Sequence, residues 1–137
     1  MKRLILILFV VSIVNSFAQT KLDYGIQFYH GTWKEACDKA KAENKLIFVD
    51  FYTQWCGPCL NMAENVFILP FIGDFYNTNF VNMKIDAENG EGVELAKRYG
   101  VNSYPTYVFV DPKNGDVVHQ SKSRQEAEQF LATGKSA

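Results

Sequence analysis

Leu46-Ile47-Phe48-Val49-Asp50-Phe51-Tyr52 is a seven-residue run in which Asp50 is the one charged side chain, and Cys56-Gly57-Pro58-Cys59 follows three residues later. A near-continuous apolar run of this length fits a central β-strand covered on both faces. Pro58 fits the first turn of a helix, where backbone N–H groups have no helical partner in any case. The chain is therefore expected to pass here from a buried strand, through a short turn, into a helix from about Pro58 to Phe67. The two cysteines sit at the join.

The flanking segments supply alternating elements. Tyr24 to His30 alternates loosely and is expected to form a first strand. Thr32-Trp33-Lys34-Glu35 is a capping box, and Trp33, Ala36, Cys37 and Ala40 recur at helical spacing up to a stop near Asn44. Phe80 to Asp86 is the next expected strand, and Glu91 to Tyr99 a short helix closed by Gly100. Thr106 to Asp111 is a further strand, and Pro112-Lys113-Asn114-Gly115 supplies turn chemistry for a hairpin into Asp116 to Gln120. A last helix opens at Ser123 or Arg124, runs through Leu131 and is closed by Gly134. The order is β-α-β-α-β-α-β-β-α, an α/β arrangement with a mixed central sheet and flanking helices. With 137 residues there is room for one core.

The N-terminus belongs to a different class of segment. Lys2 and Arg3 precede a run from Leu4 to Val14 that is apolar apart from Ser12, and Ser16 and Ala18 place small residues after it. The run is about half the ~20 residues a membrane-spanning helix needs, and its layout is that of an export signal. We expect residues 1–18 to be a signal peptide cleaved after Ala18, residues 19–137 to be the working domain, and its location to be periplasmic or secreted. An uncleaved membrane anchor is the alternative. No cysteine follows the run until Cys37, so a lipoprotein signal is not expected. The net charge of −1 offers nothing to nucleic acid or to an anionic membrane.

Export changes how cysteines are read. In an oxidising compartment they usually pair to staple a small fold, but here there are three, and two are separated by only two residues. Closing so short a loop removes little entropy from the unfolded chain. Chemistry accounts for this pair better than stapling. Zinc would require two further ligands; the chain offers Cys37, His30 and His119, with no second closely spaced pair, so no metal is expected.

Trp55-Cys56-Gly57-Pro58-Cys59, placed after a buried strand and opening a helix, resembles the active site of the thioredoxin family. The resemblance extends to Phe48-Val49-Asp50-Phe51, to the strand Phe80 to Asp86 and to Tyr104-Pro105-Thr106, and so covers about Tyr24 to Leu131. The long first helix and Glu43-Asn44-Lys45 are most similar to secreted thioredoxin-like proteins and to the periplasmic domain of transmembrane thiol-reductant carriers. The resemblance implies a thioredoxin fold, a reversible Cys56–Cys59 disulfide in place of any cofactor, a buried acid at Asp50 and a cis Tyr104–Pro105 bond.

The residues support this chemistry independently. A thiolate is the attacking species in disulfide exchange, and at a helix N-terminus Cys56 meets free N–H groups and the positive end of the helix dipole. Cys56 is assigned as nucleophile and Cys59, one turn on, as the resolving thiol. Gly57 keeps the approach open for another backbone. Asp50 in an apolar strand is costly unless it has work or a partner; burial raises a carboxyl pKa, which suits a base taking the proton of Cys59. The lysine that accompanies this acid in the family would fall at Asn82, and Lys84 lies two residues further on. Pro105 starts a strand expected to pair antiparallel with the central one, which places Tyr104 near Cys56 for backbone pairing with a substrate strand. Trp55 flanks the pair and serves docking or packing. Cys37, on an apolar helix face, is expected to be a buried thiol, and Ser123 replaces a glycine common in the family.

The expected function is extracytoplasmic reduction of protein disulfides by a monomeric domain. Electrons would come from a membrane-embedded thiol donor, with no lasting membrane insertion of the domain itself. Two alternatives differ in class: a disulfide oxidase or isomerase, and a peptide-binding module without turnover.

Overall fold

The computed structural model describes residues 24–137; the expected signal peptide, 1–18, lies outside the described residues. The first helix, α1 (Trp33–Glu43), starts where the capping box placed it. The Glu35 amide donates to Thr32 Oγ1 at 3.3 Å and the Thr32 amide donates to Glu35 Oε2 at 2.7 Å. It stops at Asn44, whose left-handed backbone (φ 52°) lets its N–H reach back to the carbonyls of Ala40 and Lys41.

Four strands form one sheet. They are β1 (Leu46–Tyr52), β2 (Phe80–Asp86), β3 (Thr106–Val110) and β4 (Val117–Lys122), in the order β2-β1-β3-β4. β1 pairs parallel with β2 and antiparallel with β3, and β3 pairs antiparallel with β4. The parallel pair needs a long crossover, supplied by α2 (Gly57–Asn65) and α3 (Pro70–Asn79). A short helix α4 (Gly92–Arg98) follows β2, and α5 (Ala127–Lys135) ends the fold.

Alternation along β1 sorts the core into two layers. Ile47, Val49 and Phe51 meet Ala36 and Ala40 of α1 and Leu95 and Ala96 of α4. Phe48 points the other way, into a layer with Met62 of α2, Ile72 and Tyr76 of α3 and Phe130 of α5. That second layer is dense in aromatic rings: Phe48 lies edge-on to Tyr76 at 4.9 Å, and Tyr76 stacks on Phe130 at 4.6 Å. Among the described residues no helix is long and apolar enough to cross a membrane.

Three expectations are corrected. Tyr24 to His30 is not a strand; it makes one isolated parallel bridge, Phe28 to Asn82, along the outer edge of β2. The Tyr29 amide donates to the Asn82 carbonyl at 2.7 Å, but the preceding donors are engaged elsewhere: the Ile26 amide on the Phe67 carbonyl at 2.8 Å and the Gln27 amide on Asn77 Oδ1 at 2.8 Å. The element order is therefore α-β-α-α-β-α-β-β-α. The second correction is an added helix, α3, whose intrinsic helical signal is weakened by Gly73 and five aromatic or β-branched residues. The third correction is at the C-terminus, where α5 begins at Ala127 and contains Gly134 rather than ending at it. A Cβ at Gly134 would come within 2.9 Å of the Tyr76 hydroxyl, so this glycine permits close packing of α5 on α3.

Gly73 has a similar task. A Cβ there would run into the Gly25 carbonyl, part of the backbone of the N-terminal segment. Gly73→Ala gains up to about 1 kcal/mol of helix propensity, but backbone cannot yield as a side chain tip can, and overpacking costs roughly 1–3 kcal/mol. Urea denaturation of Gly73→Ala should give a net loss of about 1–2 kcal/mol, with amide exchange accelerated first at residues 25–29.

Candidate active site

β1 delivers the chain to the edge of the sheet at Tyr52, and the Cys56 amide closes the following turn on the Thr53 carbonyl at 3.3 Å. Cys56 is the N-cap of α2, with extended backbone (φ −80°, ψ 101°) and Pro58 in the first turn. The Cys59 amide donates to Cys56 Sγ at 3.1 Å. A sulfur thus takes the capping role usually filled by an oxygen. Cys56 and Cys59 are joined as a disulfide and are 7% and 3% exposed. Gly57 and Pro58 face solvent, and nothing lies within 4 Å of where a Gly57 side chain would begin.

The antiparallel register of β1 and β3 pairs Phe51 with Thr106, so the segment before Thr106 arrives beside the redox turn. The Tyr104–Pro105 peptide is cis. Trp55, 69% exposed, meets Tyr104 edge-on at 6.0 Å. The residues proposed from sequence for docking, Trp55, Gly57, Pro58, Tyr104 and Pro105, are thus gathered around Cys56.

The sequence did not reveal what holds Trp55. Its indole N–H is shared between the Glu88 carboxylate oxygens at 3.2 and 3.1 Å. The turn after β2 carries this carboxylate and is itself braced: Asp86 Oδ1 accepts from the Glu88 amide at 2.9 Å, and Asp86 Oδ2 from Gln54 and Asn89 at 3.0 and 2.9 Å. Those donors hold the Asp86 carboxyl below its usual range. The available signal was the parallel pairing of β1 with β2, which brings the ends of both strands to one edge.

A second brace comes from the loop after β4. The Ser123 amide donates to the Pro105 carbonyl at 2.9 Å, Arg124 Nε to Asn61 Oδ1 at 2.7 Å, and the Gln125 amide to Met62 Sδ at 3.3 Å. Ser123 adopts φ 72°, the left-handed conformation that a glycine accepts without strain. The loop ties α2 to the segment bearing Tyr104.

Asp50 has no exposed surface, and neither carboxylate oxygen has a hydrogen-bond partner in the protein. Its register partners are Lys84 on β2 and Tyr107 on β3. Burial pushes its pKa up to about 7, against the downward pull of the Lys84 charge. Lys84 is exposed and its ammonium lies 4.9 Å above the Tyr52 ring. Asn82 offers Asp50 nothing, because its amide nitrogen donates to the Gln27 carbonyl at 3.3 Å and to Asn77 Oδ1 at 3.1 Å.

Cys37 is half-buried rather than buried, and it packs against the α1–α4 layer, on the opposite face of the sheet from α2. Burial raises its thiol pKa. Among the described residues no group of three His, Cys, Asp or Glu side chains could hold a metal ion.

Comparison with known proteins matches the model of the thioredoxin-like domain to residues 33–137. The chain belongs to the thioredoxin-like family. Its fold is similar to that of a Bacteroides thetaiotaomicron protein proposed to be a disulphide-isomerase, at 43% identity and TM-score 0.74, over 82% of this chain and 92% of that one. A thioredoxin from Thermus thermophilus aligns with TM-score 0.72 and 28% identity, over 81% of this chain and 85% of its own. In sequence, Drosophila yakuba Thioredoxin-1 is 46% identical over 69 residues, which span 50% of this chain and 60% of that protein. This thioredoxin-like chain has the fold of a thiol-disulfide oxidoreductase, with the Cys56–Cys59 disulfide as its redox group.

The burial of Asp50 has a stability consequence with a definite sign. An acid whose folded pKa lies above its unfolded value near 3.8 favours the fold at low pH, and that contribution is lost as pH rises through about 7. The displacement corresponds to on the order of 4 kcal/mol above neutrality. In the oxidised domain, Asp50→Asn should raise stability at pH 8 by up to that amount, with the gain shrinking below pH 7 and absent near pH 4. Urea midpoints across this range check it.

Proposed function

We propose that this thioredoxin-like protein is an extracytoplasmic protein-disulfide reductase, cleaved after Ala18, monomeric, and supplied with electrons by a membrane-embedded thiol donor. The observation that carries the redox reading is Cys56 as N-cap of α2, its sulfur accepting the Cys59 amide. In the reduced protein the same donor and the helix dipole favour a Cys56 thiolate. That thiolate attacks one sulfur of a substrate disulfide, forming a mixed disulfide and releasing the other substrate sulfur as thiolate. The Cys59 thiol then gives its proton to the Asp50 carboxylate, and its thiolate attacks Cys56 Sγ. The Cys56–Cys59 disulfide forms, the mixed disulfide breaks, and the second substrate thiolate leaves. A donor dithiol reverses the cycle. Trp55, Gly57, Pro58, Tyr104 and Pro105 form the docking rim, and the leader-like residues 1–18 support the extracytoplasmic location.

A second reading, net isomerisation or oxidation, is favoured by the 43% identity to the proposed Bacteroides disulphide-isomerase. The reduction potential separates the two. Gly57-Pro58 places no histidine beside Cys56 to stabilise its thiolate further, so the disulfide should be hard to reduce. Equilibration with glutathione buffers should give a midpoint near the thioredoxin value of about −270 mV, roughly 7 kcal/mol from a strong periplasmic oxidant at about −120 mV. A midpoint above about −180 mV, the region of protein disulfide isomerase, would favour isomerisation.

Turnover tests the role of Asp50. Asp50→Asn should slow resolution of the mixed disulfide at least tenfold while leaving its formation within about threefold, the scale expected for loss of a general base. Rapid-quench alkylation with a peptide disulfide resolves the two steps. Equal slowing of both would make Asp50 a structural element of the site. Cys59→Ser should accumulate the mixed disulfide and so identify physiological substrates.

A further inference from the structure

Two tyrosines stand among the phenylalanines of the aromatic layer, and both are without exposed surface. The Tyr76 hydroxyl donates to the Phe130 carbonyl at 2.9 Å. The Tyr107 hydroxyl has no partner in the protein. Its ring packs at 5.0 Å from Phe130 and 6.2 Å from Phe48, contacts that phenylalanine would make equally well. A buried hydroxyl without a partner destabilises a fold relative to the same ring without it. Packing therefore does not explain why residue 107 is tyrosine.

Its strand partner does. Tyr107 lies directly opposite Asp50 in the antiparallel β1–β3 pair, and such partners project from the same face of a sheet. For Asp50 that face is the α2 side, shared with Phe48. Tyr107 thus brings a donor without an acceptor to the face where Asp50 brings an acceptor without a donor. A water held between them would satisfy both, as buried waters do for otherwise unpaired polar groups. We infer that Tyr107 is a positioning residue for the redox proton, its hydroxyl donating through one buried water to the Asp50 carboxylate and holding the ionised acid beneath α2. This rests on Asp50 as the acceptor of the Cys59 proton. Cys59 shares a helix face with Met62 by its i, i+3 spacing, and Met62 belongs to the same layer as Phe48 and Tyr107.

The other ionisable groups coupled to Asp50 are Lys84 from β2 and Tyr52 further along β1; Cys59 of α2 is held in the disulfide and does not titrate in the oxidised domain. Lys84 acts by charge from an exposed position. Burial lifts the Tyr107 phenol above the usual tyrosine range, so it keeps its proton and serves as a donor throughout. In the transfer itself the proton leaves Cys59 and arrives on Asp50, and Tyr107 gains and loses none.

The test is an equilibrium titration of the oxidised domain, followed by carbon-13 NMR of the Asp50 carboxyl, in wild type, Tyr107→Phe and Tyr76→Phe. Loss of a donor to the carboxylate favours the neutral acid. Tyr107→Phe should therefore raise the Asp50 midpoint by about 0.5–1 pH unit, a roughly three- to tenfold gain in proton affinity. Tyr76→Phe, which removes a hydroxyl of the same layer engaged elsewhere, should leave the midpoint in place. Urea midpoints at pH 8 for Asp50→Asn, Tyr107→Phe and the double variant should be non-additive. An unchanged or lowered midpoint in Tyr107→Phe, an equal rise in Tyr76→Phe, or full additivity would overturn the inference. None of these readouts involves turnover, so failure here is separate from failure of Asp50 as the base in catalysis.

Discussion

β1 is covered on both faces, and the positions of the other elements follow from how those faces are filled. Ile47, Val49 and Phe51 require helices on one side and Phe48 requires them on the other. α1 and α4 meet the first demand; α2, α3 and α5 meet the second. Because α2 must reach the second side directly from the end of β1, the chain has only Thr53, Gln54, Trp55 and the N-cap Cys56 in which to turn. The redox pair thereby sits at the N-terminus of a helix that Met62, one turn beyond Cys59, anchors in the aromatic layer. Close packing of this kind leaves little freedom for the sulfur atoms to change their surroundings.

The same coverage makes Asp50 expensive, and that expense explains the composition around it. Its neighbours on the strand are apolar, the Lys84 charge stays at the surface, and Asn82 is occupied with the N-terminal segment. An acid so placed changes protonation near neutral pH rather than near 4, which is the range in which a thiol exchanging disulfides must lose its proton. In the cycle proposed above, a solvated carboxylate would be permanently ionised and too weak a base for a buried thiol.

Much of this was legible in the sequence, for physical reasons that can be named. The α1 capping box is local, so four consecutive residues specify it. β1 and the cysteines were legible because burial on two faces leaves an unbroken apolar run, and Pro58 marks a helix start. α3 was obscured because Gly73 is chosen for contact with Gly25, a partner 48 residues away, at the expense of helix propensity. Tyr24 to His30 alternates like a strand, yet the Ile26 and Gln27 amides are taken by Phe67 and Asn77, choices made by tertiary neighbours. Glu88 could not be linked to Trp55 without the β1–β2 register, and Tyr107 could not be linked to Asp50 without that of β1–β3. The cysteine pair is a local signal, and its supporting groups are products of strand alignment.

The hairpin between β3 and β4 divides the molecule into two ends with different tolerances. β3 starts opposite Phe51, beside the redox turn, and finishes opposite Ile47, near the other end of β1, a distance of ~13 Å. Its turn, Asp111 to Asp116, closes on itself through the Asp111 amide to the Asp116 carbonyl at 2.9 Å and presents Lys113 and Asn114 to solvent. The loop after β4 lies at the opposite end, fastened to Pro105, Asn61 and Met62. A fluorophore, affinity handle or inserted peptide is therefore best carried at residues 113–114, where the sheet itself keeps it away from any protein docked over Cys56.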